Sequence, residues 1–149
     1  LVSVFKKRGK VMSHSEFMGE ALILAKNAEK HGDVPVGAVI VCDGKIVAKA
    51  YNDRESSQQA INHAEILAIK KACKKLHSWR LNNCEMYVTL EPCSMCAGAM
   101  IGSRLKKVYI GTMDQKTGAV GSVLNLFNNV LNFSFEKSFN IIISPFIFD

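Results

Sequence analysis

The sequence predicts an α/β domain in three layers, with helices on both faces of a central five-stranded mixed sheet. Three observations predict it. Helical and strand-like hydrophobic periodicities alternate along the chain. An opening pair of apolar strands is joined at Asp43-Gly44, a strong hairpin signal, so part of the sheet is antiparallel. The later strands are separated by helical segments, an order that argues for helices packed on both faces of the sheet.

Ser13 and Glu16 have the spacing of a capping box, and Phe17, Ala21, Leu24, Ala25 and Ala28 follow on one helical stripe. Gly32 is the natural stop. Val36 to Val41 reads as a strand, and Ile46 to Ala50 as its return after the turn. Asn52 to Gln59 is a polar loop. A second helix runs from about His63 to Lys75, with Ile66, Leu67, Ile69 and Ala72 among its apolar positions. Met86 to Leu90 is a short buried strand, and Pro92 suits the first turn of a third helix, Cys93 to about Ser103. That helix is rich in Ala, Gly and Met, which predicts a closely packed neighbour. Val108 to Ile110 is a strand, Thr112 to Ser122 a glycine-bearing loop, and Val123 to Phe127 a short helix. Phe133 to Phe139 has strand-like alternation. Ile141 to Phe148 is almost wholly apolar, a run that is buried, meets a partner or risks aggregation.

The chain has 149 residues, enough for one domain and too few for two ordinary ones. Apolar residues make up 48%, so a core forms without staples. There is no apolar run of the length a bilayer-spanning helix needs, and no membrane partner is expected. The net charge of +6 suits a polyanionic partner. Part of it lies in Lys6, Lys7, Arg8 and Lys10, which read equally as a solvated end or a binding arm. Met12 followed by Ser-His-Ser-Glu looks like a start, so residues 1–11 are expected to be a disordered extension, 12–137 the domain, and 138–149 an apolar tail. Five cysteines, an odd number, without an export signal indicate a reducing cytoplasm. Cys42, Cys73 and Cys84 read as ordinary thiols, His14, His31 and His77 as surface or cap residues, and Trp79 as packing.

Two segments carry chemistry: His63-Ala64-Glu65 at the start of the second helix, and Pro92-Cys93-Ser94-Met95-Cys96 at the start of the third. Cys93 and Cys96 fall on one face of a first helical turn, whose positive end favours the thiolates that bind metal. Two thiolates and one imidazole leave a tetrahedral zinc with one open position, the pattern of a catalytic rather than a structural site. Glu65 lies two residues beyond His63, off that side chain's helical face, and reads as a group beside a metal-activated water rather than a ligand. Zinc lowers the pKa of bound water from about 15.7 to about 7, and a placed carboxylate adds about 10²–10⁴-fold through proton transfer. The chemistry that fits is hydrolytic loss of an exocyclic amine. The His-x-Glu and Pro-Cys-x-x-Cys pattern is a known signature of zinc nucleobase deaminases.

Longer runs extend the likeness. His63-Ala-Glu-Ile-Leu-Ala-Ile and Tyr87-Val-Thr-Leu-Glu-Pro-Cys-Ser-Met-Cys-Ala-Gly-Ala-Met-Ile resemble the bacterial tRNA-specific adenosine deaminases, within the cytidine deaminase-like superfamily. So do Val34-Pro-Val-Gly-Ala-Val and Asp114-Gln-Lys-Thr-Gly-Ala-Val-Gly-Ser, and the similarity spans Phe17 to Phe127. The resemblance implies one zinc per chain held by His63, Cys93 and Cys96, with Glu65 as the proton shuttle while zinc-activated water attacks C6 of adenosine. It implies that Asn52 hydrogen-bonds the flipped nucleotide and that Val36, Ala64 and Pro92 shape the pocket. Asp114 and Lys116 would lie in a loop touching flanking nucleotides. It further implies a homodimer acting on the wobble adenosine of a tRNA anticodon loop, with no DNA partner. Arg104, Lys106 and Lys107 are candidates for phosphate contact or simply a solvated face. The segment Ser138 to Asp149 does not resemble the charged helix with which that family usually ends.

Two other functions fit some of these features. A deaminase of a free base or nucleoside, such as guanine or cytosine, would share every metal residue. A non-catalytic module holding zinc for stability would have no use for Glu65.

Overall fold

The computed structural model describes residues 10–129 and 140–143. Helix α1, His14–Lys30, opens with the expected capping box: Ser13 Oγ accepts the Glu16 N–H at 3.2 Å and the Glu16 carboxylate accepts the Ser13 N–H at 3.4 Å. Strands β1, Gly37–Cys42, and β2, Lys45–Tyr51, form the hairpin. Asp43 and Gly44 take φ of 51° and 76°, the two positive values that a type I′ turn requires. Then come α2, Ala64–Leu76; β3, Cys84–Leu90; α3, Ser94–Gly102; β4, Lys107–Thr112; α4, Leu126–Asn129; and β5, Asn140–Ile143.

The sheet order is β2-β1-β3-β4-β5. β1 runs antiparallel to both β2 and β3, whereas β3, β4 and β5 are parallel, so the sheet is mixed as the hairpin and crossovers predicted. The alternation of side chains along each strand divides the core in two. Ala38, Ile40, Met86, Val88, Val108 and Ile110 pack with Ala68 and Ala72 of α2 and Ala97 and Met100 of α3. Val39, Val41, Tyr87 and Tyr109 pack on the opposite face with Phe17, Met18 and Ala21 of α1. Helices therefore cover both faces. α1 sits very close: a Cβ on Gly37 would stand 2.0 Å from the Ala21 carbonyl oxygen.

Several boundaries differ from expectation, each for a local reason. Pro92 is not in the first turn of α3. Cys93 is the N-cap, with extended φ −73° and ψ 175°, and Pro92 precedes it. The short helix begins at Leu126 rather than Val123, because the N–H groups of Val123 and Leu124 are taken up by the Gly118 carbonyl in a turn. β5 falls inside the stretch expected to be a tail, and it pairs Asn140–Ile143 with Lys107–Ile110. The strand expected at Phe133 to Phe139 lies outside the described residues, as do residues 1–9. Trp79 is 54% exposed rather than packed, with the Arg80 guanidinium 4.4 Å from its ring centre. Among the described residues, no helix is long and apolar enough to cross a membrane.

Candidate active site

The ends of β2 and β3 and the starts of α2 and α3 converge on one cleft. His63 occupies the N-cap of α2, with φ −72° and ψ 151°, and Cys93 the N-cap of α3. Neither side chain caps its own helix, so both are free to face the cleft. Cys96, three residues on, is fully buried on the first turn of α3.

His63 Nδ1 lies 3.7 Å from Cys93 Sγ and 3.5 Å from Cys96 Sγ, and the three donor atoms are mutually within 4.8 Å. Tetrahedral zinc bonds of about 2.3 Å to sulfur and about 2.0–2.1 Å to nitrogen place the two donors about 3.6 Å apart. The residues present therefore fit a zinc ion. At Cys93 the electrostatics point the same way. Hydrogen bonds from Cys96 and then His63 hold the Cys93 thiol far below the usual range, at about 3, favouring its thiolate. The hydrogen bond to Cys93 raises His63, and the bond to Cys93 together with burial raises Cys96.

Glu65 is 3% exposed, and its Oε2 has no hydrogen-bond partner. Burial pushes the carboxyl up to about 6. A carboxyl poised there exchanges protons near neutral pH. Because His63 precedes the helix proper, the two-residue spacing does not carry the pair to different sides. Both line the same cavity of about 160 Å³, together with Val36, Asn52, Cys93 and Asp114.

The other expected site residues are distributed unevenly. Asn52 is buried at the end of β2, where its Oδ1 accepts the Ala64 N–H at 2.8 Å. Ala64 is thereby anchored beneath the cavity and, like Pro92, is fully buried rather than on its wall. Asp114 reaches the wall, but its carboxylate accepts the Lys116 N–H at 2.9 Å and the Thr117 hydroxyl at 2.7 Å, closing its own turn. Lys116 is exposed and off the wall.

Arg104, Lys106 and Lys107 stand elsewhere. Lys107 is paired with Glu85 at the start of β3, whereas the metal donors follow that strand's end. Five residues of strand separate these levels by roughly 17 Å. The basic side chain on the cavity wall is instead Arg54. Two residues escaped sequence reasoning, Arg54 and Glu91. Arg54 sits in a polar loop with no periodicity to single it out. Glu91 is 2% exposed, and its signal was a carboxylate set between an apolar strand and Pro92.

A three-donor centre with a proton-exchanging carboxylate beside it, on this layered frame, is the equipment of a hydrolytic deaminase, and that is the class of this enzyme. A family model described as MafB19-like deaminase matches residues 12–147, and the chain belongs to that family. The chain is similar to the tRNA-specific adenosine deaminase of Bacillus subtilis (strain 168), 53% identical over 110 residues that cover 74% of this chain and 68% of that one. It resembles a solved tRNA:A34 deaminase, studied for A-to-I editing at the wobble position of transfer RNA. There the TM-score is 0.78 at 36% identity, covering 87% of this chain and 98% of that one. It also resembles the guanine deaminase of Bacillus subtilis, with a TM-score of 0.68 at 37% identity over 79% of this chain and 75% of that one.

Proposed function

We propose that the chain is a zinc-dependent enzyme that hydrolyses adenosine to inosine and ammonia at the wobble position of a tRNA anticodon loop. The observation that carries the chemistry is the open, buried Glu65 Oε2 on the cavity that His63 and Cys93 also line. His63, Cys93 and Cys96 would hold zinc, which when bound supplies Lewis acidity that brings water toward ionisation near neutral pH. Glu65 takes a proton from the attacking water, delivers it to the ring nitrogen next to the reacting carbon, and then serves the departing amine. Burial supports this role, since it brings the carboxyl to about 6, within reach of both protonation states.

Asn52 uses its oxygen on Ala64, which leaves its amide N–H groups as donors to the base. Val36 supplies an apolar wall. The cavity, about 160 Å³, is below the roughly 300–1,000 Å³ of drug-sized sites and suits one flat base with the polymer outside. An anticodon loop presents such a base at low unstacking cost. Arg54 on the rim is placed for a phosphate, and Asp114 and Lys116 shape or flank the nucleotides beside the target. We further propose that the enzyme works in the cytoplasm as a homodimer with one zinc per chain.

The likeness to guanine deaminase favours one second reading, a free-base enzyme with the same metal residues. One experiment separates them: purified, zinc-assayed protein offered an arginine-type anticodon stem-loop, free adenosine, guanine and cytidine. Inosine at the wobble position of the stem-loop is the expected result. Turnover of the free compounds alone overturns the RNA reading.

A further inference from the structure

We infer that Glu91 is a positioning residue that sets the substrate-side loop, residues 114–122, and through it the affinity for the polynucleotide; this rests on the RNA reading above. Glu91 sits just past the end of β3, immediately before Pro92 and the proposed donor Cys93. Its carboxylate accepts four hydrogen bonds, all from one loop. Oε2 accepts the Asp114 N–H at 2.9 Å and the Ser122 hydroxyl. Oε1 accepts the N–H groups of Val120 at 3.0 Å and Ser122 at 2.9 Å. The first donor opens the loop and the others close it, so a single side chain ties both ends together.

The backbone of the same segment completes the attachment. The Glu91 N–H donates to the Thr112 carbonyl at 2.8 Å, and the Pro92 carbonyl accepts the Ala119 N–H at 2.9 Å. Gly118 lies flat on the carboxylate: a Cβ there would stand 2.2 Å from Oε2 and 2.5 Å from the Asp114 carbonyl oxygen. The glycine is what lets the loop close this tightly over an acid. Asp114 and Thr117, held by this clasp, form part of the cavity wall.

A buried carboxylate that accepts four donors has no remaining lone pair suited to substrate chemistry. Its position between the metal turn and the loop makes it a hinge pin, fixing where the wall stands relative to the donors. Loosening it would let the loop drift while the metal centre, held by α2 and α3, stays formed. Binding of the flanking nucleotides is then lost before the chemical step.

The test uses Glu91→Gln and Gly118→Ala in the whole 149-residue chain, with KM and kcat on the anticodon stem-loop and zinc content per chain. Glu91→Gln turns an acceptor into a donor facing N–H groups, and Gly118→Ala presses on the clasp from the loop side. Two weakened hydrogen bonds of ordinary strength correspond to about tenfold or more in KM, with kcat within about threefold and zinc unchanged. Unchanged KM in both variants, or a loss confined to kcat and zinc, overturns the inference. If Glu91→Gln does not fold, Ser122→Ala, which removes a single hydroxyl donor, decides by the same criterion. A wild-type protein that ignores RNA and deaminates free guanine overturns the function instead. An active wild type with indifferent variants overturns only the role of Glu91.

Discussion

The amide oxygen of Asn52 receives the backbone N–H of Ala64 at 2.8 Å, tying the residue that follows β2 to the first residue of α2. Ala64 follows His63, so this bond governs where a proposed zinc donor stands. Removing it in Asn52→Ala leaves a buried N–H without a partner, a cost of about 1–3 kcal/mol. The denaturant midpoint falls, and zinc is held more weakly. Asn52→Asp keeps an acceptor for Ala64 but loses the amide donors. Its stability exceeds that of the alanine variant while deamination stays low.

Glu65→Gln separates metal binding from proton transfer. The glutamine occupies the same volume but carries no proton to and from the reacting groups. Deamination falls by about 10²–10⁴-fold. Zinc content stays at the wild-type level by metal analysis. Equal loss of zinc would make Glu65 part of the metal site instead.

Replacing Cys93 or Cys96 by Ser, or His63 by Ala, reverses that pattern. Each removes one of three donors, so zinc per chain falls and activity falls with it. Chelation of the wild type lowers Tm, and added zinc restores it. A ligand at a hundred times its Kd contributes about 2.7 kcal/mol to the folded state.

Asp33 connects acid stability to the rim of the cleft. Burial raises its carboxyl, but N–H groups from Glu55, Val34 and Arg54 outweigh that, and it sits below the ordinary value. The contribution is fully present above the unfolded-state value of about 3.9 and is lost as pH falls through the lower folded-state value. Asp33→Asn flattens the acid limb of the stability profile measured by urea titration. An unchanged limb would mean that the three donors contribute nothing.

Arg54 and Lys106 give opposite forecasts for salt. Arg54→Ala weakens stem-loop binding and reduces the log–log salt slope by about 0.7, the value for one phosphate on a single strand. Lys106→Ala, at the far end of the strands, changes neither. The measurement is stem-loop binding across a salt series.

Much of this layout was legible because the signals are local. The capping box at Ser13 and Glu16, the turn at Asp43-Gly44, and the His63, Glu65, Cys93 and Cys96 spacings each involve residues within one or two turns of chain. The placement of Arg104, Lys106 and Lys107 was not legible, because a basic cluster near the metal motif in sequence stands at the other end of a parallel strand pair. Glu91 was hidden for a different reason. Its partners are backbone N–H groups and one hydroxyl 23 to 31 residues downstream, and backbone groups leave no mark in a residue pattern. The end of the sheet was ambiguous because an apolar run such as Ile141 to Ile143 does not name the strand it pairs with.

Both helices that bring donors together begin at a donor and extend away from it. The geometry of the centre is therefore set by the loops entering α2 and α3 and by the first turn of each. Changes in helix length or outer surface beyond that turn leave the donors where they are. One deaminase framework can thus acquire different outer shells, lengthened ends or new contacts, while the few ångströms in which bonds are broken remain the same.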